Sequence, residues 1–538
     1  MQKLPTSVQD FGKIRTQNYL YVDKTEKLLQ MVENGESYFL SRPRRFGKSL
    51  TLSTLEAMFQ GKVELFKGLY AEKWVKEQAK HPNPVIKLDI ATLGYKNVDE
   101  FNEYLVKNLE NFLFINKFDV PSEKKANIFL SNIITRLYDK FGPVVLLIDE
   151  YRMTDKINNL EKPNEMREYL RSFSLKTCSQ YLRFVMVTGV SKFSKAGVFS
   201  GLNNLEDISS DKYFGDIVGY TQQELEDNFG EWIENTEKEL SMDREELLDK
   251  IKEYYCGFSF DGETNVYNSF SLLNFFKKSD FRNYWFLSGS PSSFYNYLQH
   301  NNIKNPDKYE GITVPKNFTD RWGIESTSIE NFLYQAGYLT IKKKVRNELV
   351  LGYPNEEIRS SLAEIYLSDF YHIEDYLTLG NEIWKALEDD NIENLVKSFN
   401  LAILEIPMDI FASFNEEKKC DDFGESKDSD GYVQEYLNQR KEHWYRTILV
   451  MLLRGAGAIY YAKVHTFRDR SDVVIIFKNK LIIVKFKLAK NLSELEIKKK
   501  EGLEQILLRD YSSLYIQNNK KVINFVLVVD DEKGRIVV

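Results

Sequence analysis

The stretch Tyr38-Phe-Leu-Ser-Arg-Pro-Arg-Arg-Phe-Gly-Lys-Ser-Leu-Thr51 decides the fold of the N-terminal half. It reads as an apolar strand, a loop and the start of an apolar helix, which is the arrangement of a P-loop. Such a loop binds phosphates through backbone amides at a helix N-terminus, a lysine at the β- and γ-phosphates, and a hydroxyl group at Mg²⁺. Gly47, Lys48 and Ser49 stand at the corresponding positions. The stretch therefore predicts a site for ATP and Mg²⁺.

Arg42 replaces the first glycine of the P-loop template, and Arg44 and Arg45 follow it. A side chain at the first position restricts the loop backbone. Guanidinium groups, however, bind phosphate well. We therefore predict that Arg42 and Arg45 belong to the nucleotide-binding residues. The alternative is a surface loop in which Gly-Lys-Ser occurs by chance.

A second signal lies about a hundred residues downstream, where the apolar run Val144–Ile148 ends in Asp149 and Glu150. This is the pattern of a strand that leads into two carboxylates with different tasks. Asp149 is predicted to hold Mg²⁺ together with Ser49, and Glu150 is predicted to polarise the attacking water. Two signals in the correct order are more specific than either signal alone.

Thr188 and Ser191 follow the next apolar run, Phe184–Val187. Ligands of α/β sheets bind at the carboxyl ends of the strands, so both hydroxyl groups are predicted to contact the γ-phosphate. Ordinary turn and cap residues are the alternative.

Four apolar runs in the first 200 residues alternate with longer amphipathic segments, which predicts a parallel sheet covered by helices. The fold class is therefore α/β with several domains. The runs are Ser37–Leu40, Val85–Ile90, Val144–Ile148 and Phe184–Val187. Thr221 and Glu224 then form a predicted capping box before a charged helical stretch that continues to about Tyr255. That stretch has the character of a helical lid.

Composition limits the class of protein. A chain of 538 residues is expected to form about three to four domains. Apolar residues make up 43% and charged residues 28%, as in ordinary globular proteins. No stretch approaches ~18 apolar residues and the N-terminus has no apolar signal region, so a cytoplasmic protein without membrane contact is expected. The three cysteines are far apart, which argues against a disulfide framework.

Several further segments point to a known family. The sequence contains Leu4-Pro-Thr-Ser-Val-Gln, Asn18-Tyr-Leu-Tyr-Val-Asp, Leu147-Ile-Asp-Glu-Tyr, Thr188-Gly-Val-Ser-Lys and Tyr353-Pro-Asn-Glu-Glu, besides the P-loop. In these segments it resembles the AAA-ATPase-like proteins that carry a C-terminal PD-(D/E)XK nuclease domain. The resemblance implies a P-loop ATPase-like domain with a restriction-endonuclease-like domain appended. Arginine at position 42 is usual in that family.

The chain departs from the family pattern after Glu150. The family usually reads Asp-Glu-Tyr-Asp-Lys-Pro there, whereas Tyr151 is followed by Arg152-Met-Thr-Asp-Lys. A short insertion beside Glu150 bears on hydrolysis more than on nucleotide binding. From the resemblance and the composition we predict four parts: a P-loop domain at 1–218, a helical lid at 219–290, a connecting subdomain at 291–372, and a nuclease-like domain at 373–538. A charged loop near 415–431 is expected to be flexible.

The C-terminal domain has an altered set of site residues. A metal-dependent nuclease of this class needs an Asp on one strand and Glu-x-Lys on its neighbour. Asp472 and Lys487 fit, but Lys485 stands at the Glu position, and residues two apart on a strand face the same side. Glu442 is the first candidate for a substitute carboxylate and Glu504 the second. Gln505 resembles the family's helix motif. We predict a fold that is retained without cleavage.

A group of lysines surrounds this site and could bind phosphates without cutting them. A solvated lysine-rich face is the alternative. The group comprises Lys478, Lys480, Lys485, Lys487, Lys490, Lys498, Lys499 and Lys500.

Three functions remain open at this point. The first is an ATP-binding switch, with or without hydrolysis, that controls a nucleic-acid-binding domain of degenerate nuclease type. The second is an active ATP-regulated, Mg²⁺-dependent nuclease of a mobile element or defence system. The third is an interaction protein in which both sites are vestigial. The expected partners are a nucleotide, DNA or RNA, and a protein partner.

Overall fold

A computed structural model describes most of the chain. The described residues are 1–90, 97–115, 117–119, 125–149, 165, 169, 178–190, 205–288, 297–298, 309–320, 328–407, 429–455, 472–477, 480–508, 521–530 and 533–537. For 320, 429–440, 443, 472, 474, 476, 477 and 508 the description covers the backbone.

Contacts divide the chain into two compact units. The first unit is Met1–Trp285 with Tyr309–Asn355, and the second is Phe286–Lys308 with Glu356–Val538. The finer division into four parts stays a prediction.

The first unit is built on a parallel sheet with the order β2-β3-β4-β1-β5. Its strands are β1 (Ser37–Ser41), β2 (Val85–Asp89), β3 (Val144–Asp149), β4 (Leu182–Gly189) and β5 (Glu206–Asp207). The four strands predicted from the sequence are confirmed, with ends that differ by one or two residues. All neighbouring strands are parallel, so their carboxyl ends share one edge of the sheet.

Among the described residues, six helices accompany this sheet. They are α1 (Phe11–Thr16), α2 (Thr25–Asn34), α3 (Lys48–Phe59), α4 (Glu72–Gln78), α5 (Val98–Ile115) and α6 (Ala126–Phe141). Apolar residues recur every three or four positions along α5 and α6, and these faces form one core with β2, β3 and β4. Helix α3 is buried over most of its surface, which explains why it is apolar without a clear polar face.

The segment after the sheet forms helices, as predicted, but the helical stretch is divided into three. The helices are α7 (Gln222–Asn228), α8 (Gly230–Leu240) and α9 (Arg244–Tyr255), followed by α10 (Ser269–Lys278) and α11 (Tyr284–Leu287). The predicted capping box is confirmed, because Thr221 and Glu224 each bind the other's backbone amide through their side chains. Lys24 also binds Glu224, at 2.6 Å between Nζ and Oε1, and so joins the start of α7 to the N-terminal segment.

A three-stranded antiparallel sheet completes the first unit, and the sequence analysis did not predict it. Its strands are β6 (Ile312–Pro315), β7 (Thr340–Val345) and β8 (Glu348–Gly352), in the order β6-β8-β7, and α12 (Ile329–Ala336) precedes β7. Thr340 Oγ1 binds both the amide and the carbonyl of Ser259, which joins this sheet to the turn at 257–262. In that turn Gly257 has a φ of +114°, and a Cβ there would lie 2.3 Å from the Pro354 oxygen, so glycine is required.

In the part of the second unit that the structure describes, there are five α-helices and a four-stranded sheet. The helices are α13 (Glu356–Ile365), α14 (Tyr376–Glu388), α15 (Ile392–Glu405), α16 (Ser429–Gly455) and α17 (Leu495–Leu508). The strands are β9 (Asp472–Phe477), β10 (Lys480–Ala489), β11 (Lys521–Asp530) and β12 (Arg535–Val537), in the order β12-β11-β10-β9.

The two faces of the second sheet pack against different helices. Ile506 of α17 packs with Leu481 and Ile483 on one face, whereas Phe486 contacts Phe399 of α15 on the other. The sequence pattern predicts a helix at about 432–454, strands at 472–477, 481–488 and 522–529, and a helix near 493–508, and the structure confirms these elements within a few residues. Of the predicted flexible loop, residues 415–428 lie outside the described residues. Among the helices that the structure describes, none has the length and apolar character needed to cross a bilayer.

Candidate functional site

The loop between β1 and α3 has the backbone that a P-loop needs. Gly47 caps α3 with a φ of +99°, a left-handed conformation that favours glycine. Because Gly47 has no side chain, no capping group from this residue covers the first amides of α3, and these point toward the loop. Arg45 also has a positive φ, of 67°, and its guanidinium lies 4.8 Å from the centre of the Phe270 ring. Ser49 is half-buried in the first turn of α3.

The predicted phosphate-binding lysine lies inside the loop. Lys48 Nζ donates to the carbonyl oxygens of Arg42 and Pro43, each at 3.0 Å, and the residue is buried. The loop therefore concentrates carbonyl oxygens around the ammonium group. A phosphate that binds here exchanges these neutral acceptors for charged ones, which form stronger hydrogen bonds with an ammonium group.

The surroundings of Arg42 differ from those expected of an arginine that binds phosphate. Only 1% of the residue is exposed, and its guanidinium donates to the carbonyl oxygens of Ser41, Ser209 and Phe214 at 2.7–3.1 Å. The group also stacks over Phe260 at 4.1 Å from the ring centre. Burial lowers the pKa of Arg42 to about 10, so the group remains charged at neutral pH. Its donors are directed into the protein, because carbonyl groups surround it.

Asp149 and Thr188 meet at the carboxyl edge of the parallel sheet. Strands β3 and β4 pair so that Ile148 stands opposite Val187, which brings the next residue of each strand together. Thr188 Oγ1 donates to Asp149 Oδ1 at 2.8 Å, and both residues are buried. The hydrogen bond fixes the orientation of the predicted Mg²⁺ ligand. A direct contact of Thr188 with phosphate stays a prediction, and Glu150 and Ser191 lie outside the described residues.

In the C-terminal sheet, the register pairs Asp472 with Lys485 at the end of β9. Lys485 is 0% exposed. Alternate residues of a strand share a face, and Ile483 packs toward α17, so Lys485 and Lys487 also lie on the α17 side. A Cβ at Gly502 of α17 would lie 3.5 Å from Lys487 Cγ, which shows how closely that lysine stem approaches the helix. The side chain of Asp472 lies outside the described residues.

Glu442 reaches the same end of these strands from α16. Its Oε1 accepts a hydrogen bond from the amide of Leu488 at 3.0 Å. Strand β9 begins at Asp472, opposite Lys485, and so does not extend to Leu488. The Glu442 carboxylate therefore occupies the edge of β10 three residues beyond Lys485, about 10 Å along the strand.

The remaining predicted residues of this site, Glu504 and Gln505, both lie on α17. Gln505 is half-buried on α17, and its Oε1 has no hydrogen-bond partner among the residues that the structure describes. Within the same described ranges, no group of three or more His, Cys, Asp or Glu side chains is arranged to hold a metal ion.

The predicted lysine group is divided between the two ends of β10. Lys480 begins the strand and binds Asp390 at 2.8 Å, and Lys521 binds the second oxygen of the same carboxylate at 2.8 Å. Hydrogen bonds from Lys480 and Lys521 lower the pKa of Asp390. Lys490 follows the other end of the strand, about 30 Å away. Lys478 lies outside the described residues. What remains of the predicted patch is Lys487, Lys490 and the α17 lysines at 498–500, of which Lys500 is exposed.

Comparison with known proteins identifies both parts of the chain. Residues 5–199 match a family model described as "Predicted AAA-ATPase", and residues 440–538 match a model of the PD-(D/E)XK nuclease superfamily. A protein of Azotobacter chroococcum mcd 1, named "Uncharacterized protein in vnfD 5′region", is 35% identical over 382 residues, covering 68% of this chain and 70% of that protein. The chain belongs to the AAA-ATPase-like family and carries a PD-(D/E)XK nuclease-superfamily domain.

Solved structures also align with this AAA-ATPase-like protein. A Walker-type ATPase of Pyrococcus abyssi aligns with a TM-score of 0.34 and 12% identity, over 67% of this chain and 97% of that chain.

Beside the P-loop of this AAA-ATPase-like protein lies a cavity of about 110 Å³. The N-terminal segment at 5–9, residues 20–24, Arg45–Gly47 and the start of α10 line it. Sequence reasoning missed the cavity, because its walls are distant in the chain. One signal could have found it, since the N-terminal motif Leu4-Pro-Thr-Ser-Val-Gln lies outside the strands of the parallel sheet.

The hydrogen bond from Thr188 to Asp149 generates a stability prediction. Thr188→Val keeps the shape of the side chain but leaves a buried carboxylate oxygen with one donor fewer, which costs about 1–3 kcal/mol of unfolding free energy. Thr188→Ser keeps the hydroxyl group and should lose less than Thr188→Val. Urea denaturation of the three proteins measures the difference. Equal stabilities of the valine and serine variants would contradict the importance of this hydrogen bond.

Proposed function

We propose that the AAA-ATPase-like unit binds ATP with Mg²⁺ and regulates a PD-(D/E)XK domain that binds nucleic acid but has lost its cleavage chemistry. The carrying observation is the combination of Lys48 inside the loop with an Asp149 carboxylate that Thr188 orients. The loop with Lys48 follows β1, and Asp149 ends β3. Both strands belong to one parallel sheet, and their carboxyl ends lie at the same edge of it.

The residues present fit a Mg²⁺–nucleotide complex. Asp149 supplies a carboxylate and Ser49 a hydroxyl group, which are the hard oxygen ligands that Mg²⁺ prefers. Bound Mg²⁺ would neutralise charge on the outer phosphates. The amides at the start of α3 would bind phosphate oxygens, and Lys48 would exchange the Arg42 and Pro43 carbonyls for the β- and γ-phosphates.

The cavity beside the loop supports the placement of the nucleoside. Arg45 and Gly47 belong both to the P-loop and to the cavity wall, so a ligand whose phosphates follow the loop can extend into it. Arg45 is exposed and held beside the Phe270 ring, so its guanidinium is available to a ligand in a way that the buried Arg42 is not. If ATP is hydrolysed, we assign Glu150 as the residue that polarises water.

The nucleotide site generates a binding prediction. Lys48→Ala should weaken ATP binding in the presence of Mg²⁺ by at least about tenfold, because one charge-assisted hydrogen bond contributes about 1.5–3 kcal/mol. Lys73→Ala, which removes an exposed lysine of α4, is the matched control and should bind like the starting protein. Titration calorimetry measures both. Glu150→Gln should bind ATP but show no turnover. Undiminished binding by the Lys48 variant would remove the P-loop assignment.

For the PD-(D/E)XK domain, the buried Lys485 carries the proposal of lost cleavage. It occupies the position at which Glu-x-Lys supplies a carboxylate, and its backbone pairs with Asp472. An ammonium group in that position repels a divalent cation instead of binding it. The exposed Lys490 and Lys500 can still attract the phosphate groups of a nucleic acid.

An active nuclease is the second candidate, and the position of Glu442 favours it. That carboxylate is buried at the end of β10 nearest to Asp472 and is fixed by the Leu488 amide. A carboxylate contributed by α16 could replace the ligand that Lys485 has displaced.

Substitution of Lys485 separates these candidates. Lys485→Glu adds a carboxylate opposite Asp472 and should produce Mg²⁺- or Mn²⁺-dependent nicking of supercoiled plasmid that the starting protein lacks. Lys485→Met removes the charge without adding a ligand and should remain inactive. Thermal denaturation of both variants confirms that they fold.

The opposite result has a defined meaning. If the starting protein already nicks plasmid, and Asp472→Ala or Glu442→Gln abolishes nicking, then the domain is an active nuclease. That result would overturn the proposed loss of cleavage without affecting the nucleotide site.

The dispersed lysines generate a prediction about salt dependence. Lys490→Ala and Lys500→Ala remove exposed lysines at one end of the domain, and each should reduce the salt slope of nucleic-acid binding by about one. Lys521→Ala is the matched control, because Lys521 lies at the other end of the sheet and binds Asp390. Fluorescence anisotropy at several salt concentrations measures the slopes. An equal effect of all three substitutions would place the nucleic acid elsewhere.

A further inference from the structure

Arg42 occupies a position that the P-loop template fills with glycine, and its surroundings give this arginine a different task from phosphate binding. We infer that Arg42 is a positioning residue, whose buried guanidinium fixes the loop carbonyls that place Lys48. The inference rests on the proposed nucleotide binding. It adds that the ATP site depends on segments far from the P-loop in sequence, through this one side chain.

The first observation is the set of hydrogen bonds made by the guanidinium. Two of its acceptors, the carbonyl oxygens of Ser209 and Phe214, belong to the segment that follows β5, and they lie 2.7 Å and 3.1 Å from the guanidinium nitrogens. A planar guanidinium group can bind several fixed acceptors at once, which an ammonium group on a flexible stem does less well. The side chain therefore holds the start of the loop in one orientation.

The second observation concerns the groups that surround the guanidinium besides its carbonyl acceptors. The guanidinium stacks on Phe260, which lies in the turn at 257–262. The pKa of this guanidinium, which burial lowers, is raised by three nearby groups: Tyr334 of α12, Asp207 and Asp261. Asp261 is itself fixed by the amides of Glu263 and Thr264. Three separate segments of the first unit therefore converge on one side chain that the P-loop supplies.

The third observation concerns the main chain of Arg42. Its carbonyl oxygen accepts from Lys48 Nζ at 3.0 Å, and its amide donates to the Gly189 carbonyl at 3.1 Å. Gly189 follows Thr188, which holds Asp149. Arg42 therefore has two structural roles. Its side chain anchors the loop, and its main chain contacts Lys48 and the end of β4, where Thr188 orients Asp149.

The neighbouring residues of the loop are anchored from the same direction. Trp285 Nε1 donates to the Arg44 carbonyl at 3.0 Å, and a Cβ on Gly337 would lie 2.7 Å from Pro43 Cβ. Residues 42–44 are therefore held from outside, whereas Arg45 lies on the cavity side beside Phe270. The two arginines differ in role because Arg42 is buried among carbonyl groups, whereas Arg45 is exposed at the cavity.

Comparison of ATP with AMP tests the positioning role. Lys48 is proposed to contact the outer phosphates, so Arg42→Lys and Arg42→Gly should weaken ATP binding by at least about tenfold while AMP binding changes by less than about threefold. Arg42→Gly restores the template residue, and a role limited to loop flexibility predicts improved ATP binding for it. Arg244→Ala removes an arginine of α9 that is 47% exposed, and it should bind both nucleotides like the starting protein.

A double substitution distinguishes positioning from a general loss of structure. In the Lys48→Ala background, Arg42→Lys should have no further effect on ATP affinity, because the group that it positions is absent. If Arg42→Gly does not fold, as judged by thermal denaturation, Arg42→Lys and Phe260→Leu remain. Phe260→Leu removes the stacking partner and should show the same selective loss of ATP affinity.

Different results would overturn the proposed nucleotide binding and the proposed role of Arg42. A starting protein that binds neither nucleotide would overturn the proposed function together with this inference. A starting protein that prefers ATP, with folded Arg42 variants that keep the same preference, would overturn the inference alone. An equal loss of ATP and AMP affinity would also overturn it, because a structural defect in the unit explains that result.

Discussion

Parallel pairing of β1, β4 and β3 is the constraint on which the rest of the first unit depends. Because the strands are parallel, each enters the sheet at one edge and leaves it at the other. The P-loop after β1, Thr188 at the end of β4 and Asp149 at the end of β3 are therefore neighbours, although more than a hundred residues separate the loop from Asp149. The pairing of the strands brings these residues together, and no single segment of the chain could do so by itself.

Both units place a buried cation where the corresponding template has a different residue. Arg42 stands in place of glycine and Lys485 in place of glutamate, and each is almost completely buried. Burial of a charge is costly unless hydrogen bonds or opposite charges compensate it. For Arg42 the compensation is visible in three carbonyl acceptors and an aromatic ring. In both places the fold is retained although the residue differs from the template.

The parts of the fold that the sequence predicted are those with local signals. Apolar runs gave the four strands of the parallel sheet, and a Thr and a Glu three residues apart gave the capping box at Thr221. The antiparallel sheet β6-β8-β7 was missed. Its strands have no simple alternation, since Lys342, Lys343 and Lys344 occupy the middle of β7. Its joint to the turn at 257–262 is a tertiary contact between Thr340 and Ser259.

The sequence predicted those site residues whose positions follow from the order of strand, loop and helix. Gly47, Lys48 and Asp149 are where a P-loop sheet requires them. The surroundings of Arg42 could not be predicted, because its acceptors Ser209 and Phe214 lie 167 and 172 residues away. Closeness in sequence was equally misleading for Lys480 and Lys490, which an extended strand separates by about 30 Å.

One connection between the two units lies at a residue that contacts the P-loop, and the other lies at a residue that contacts α16. Trp285, which binds the Arg44 carbonyl of the P-loop, is the last residue before the chain enters the second unit. The chain enters that unit again at Glu356, whose carboxylate is buried and lies 3.6 Å from Arg454 of α16. Helix α16 also carries Glu442, about 18 Å away along the helix axis. The P-loop therefore contacts the residue at one connection, and α16, which also carries Glu442, contacts the residue at the other. This arrangement supports the proposed regulation, because each site is joined to a connection by contacts within its own unit.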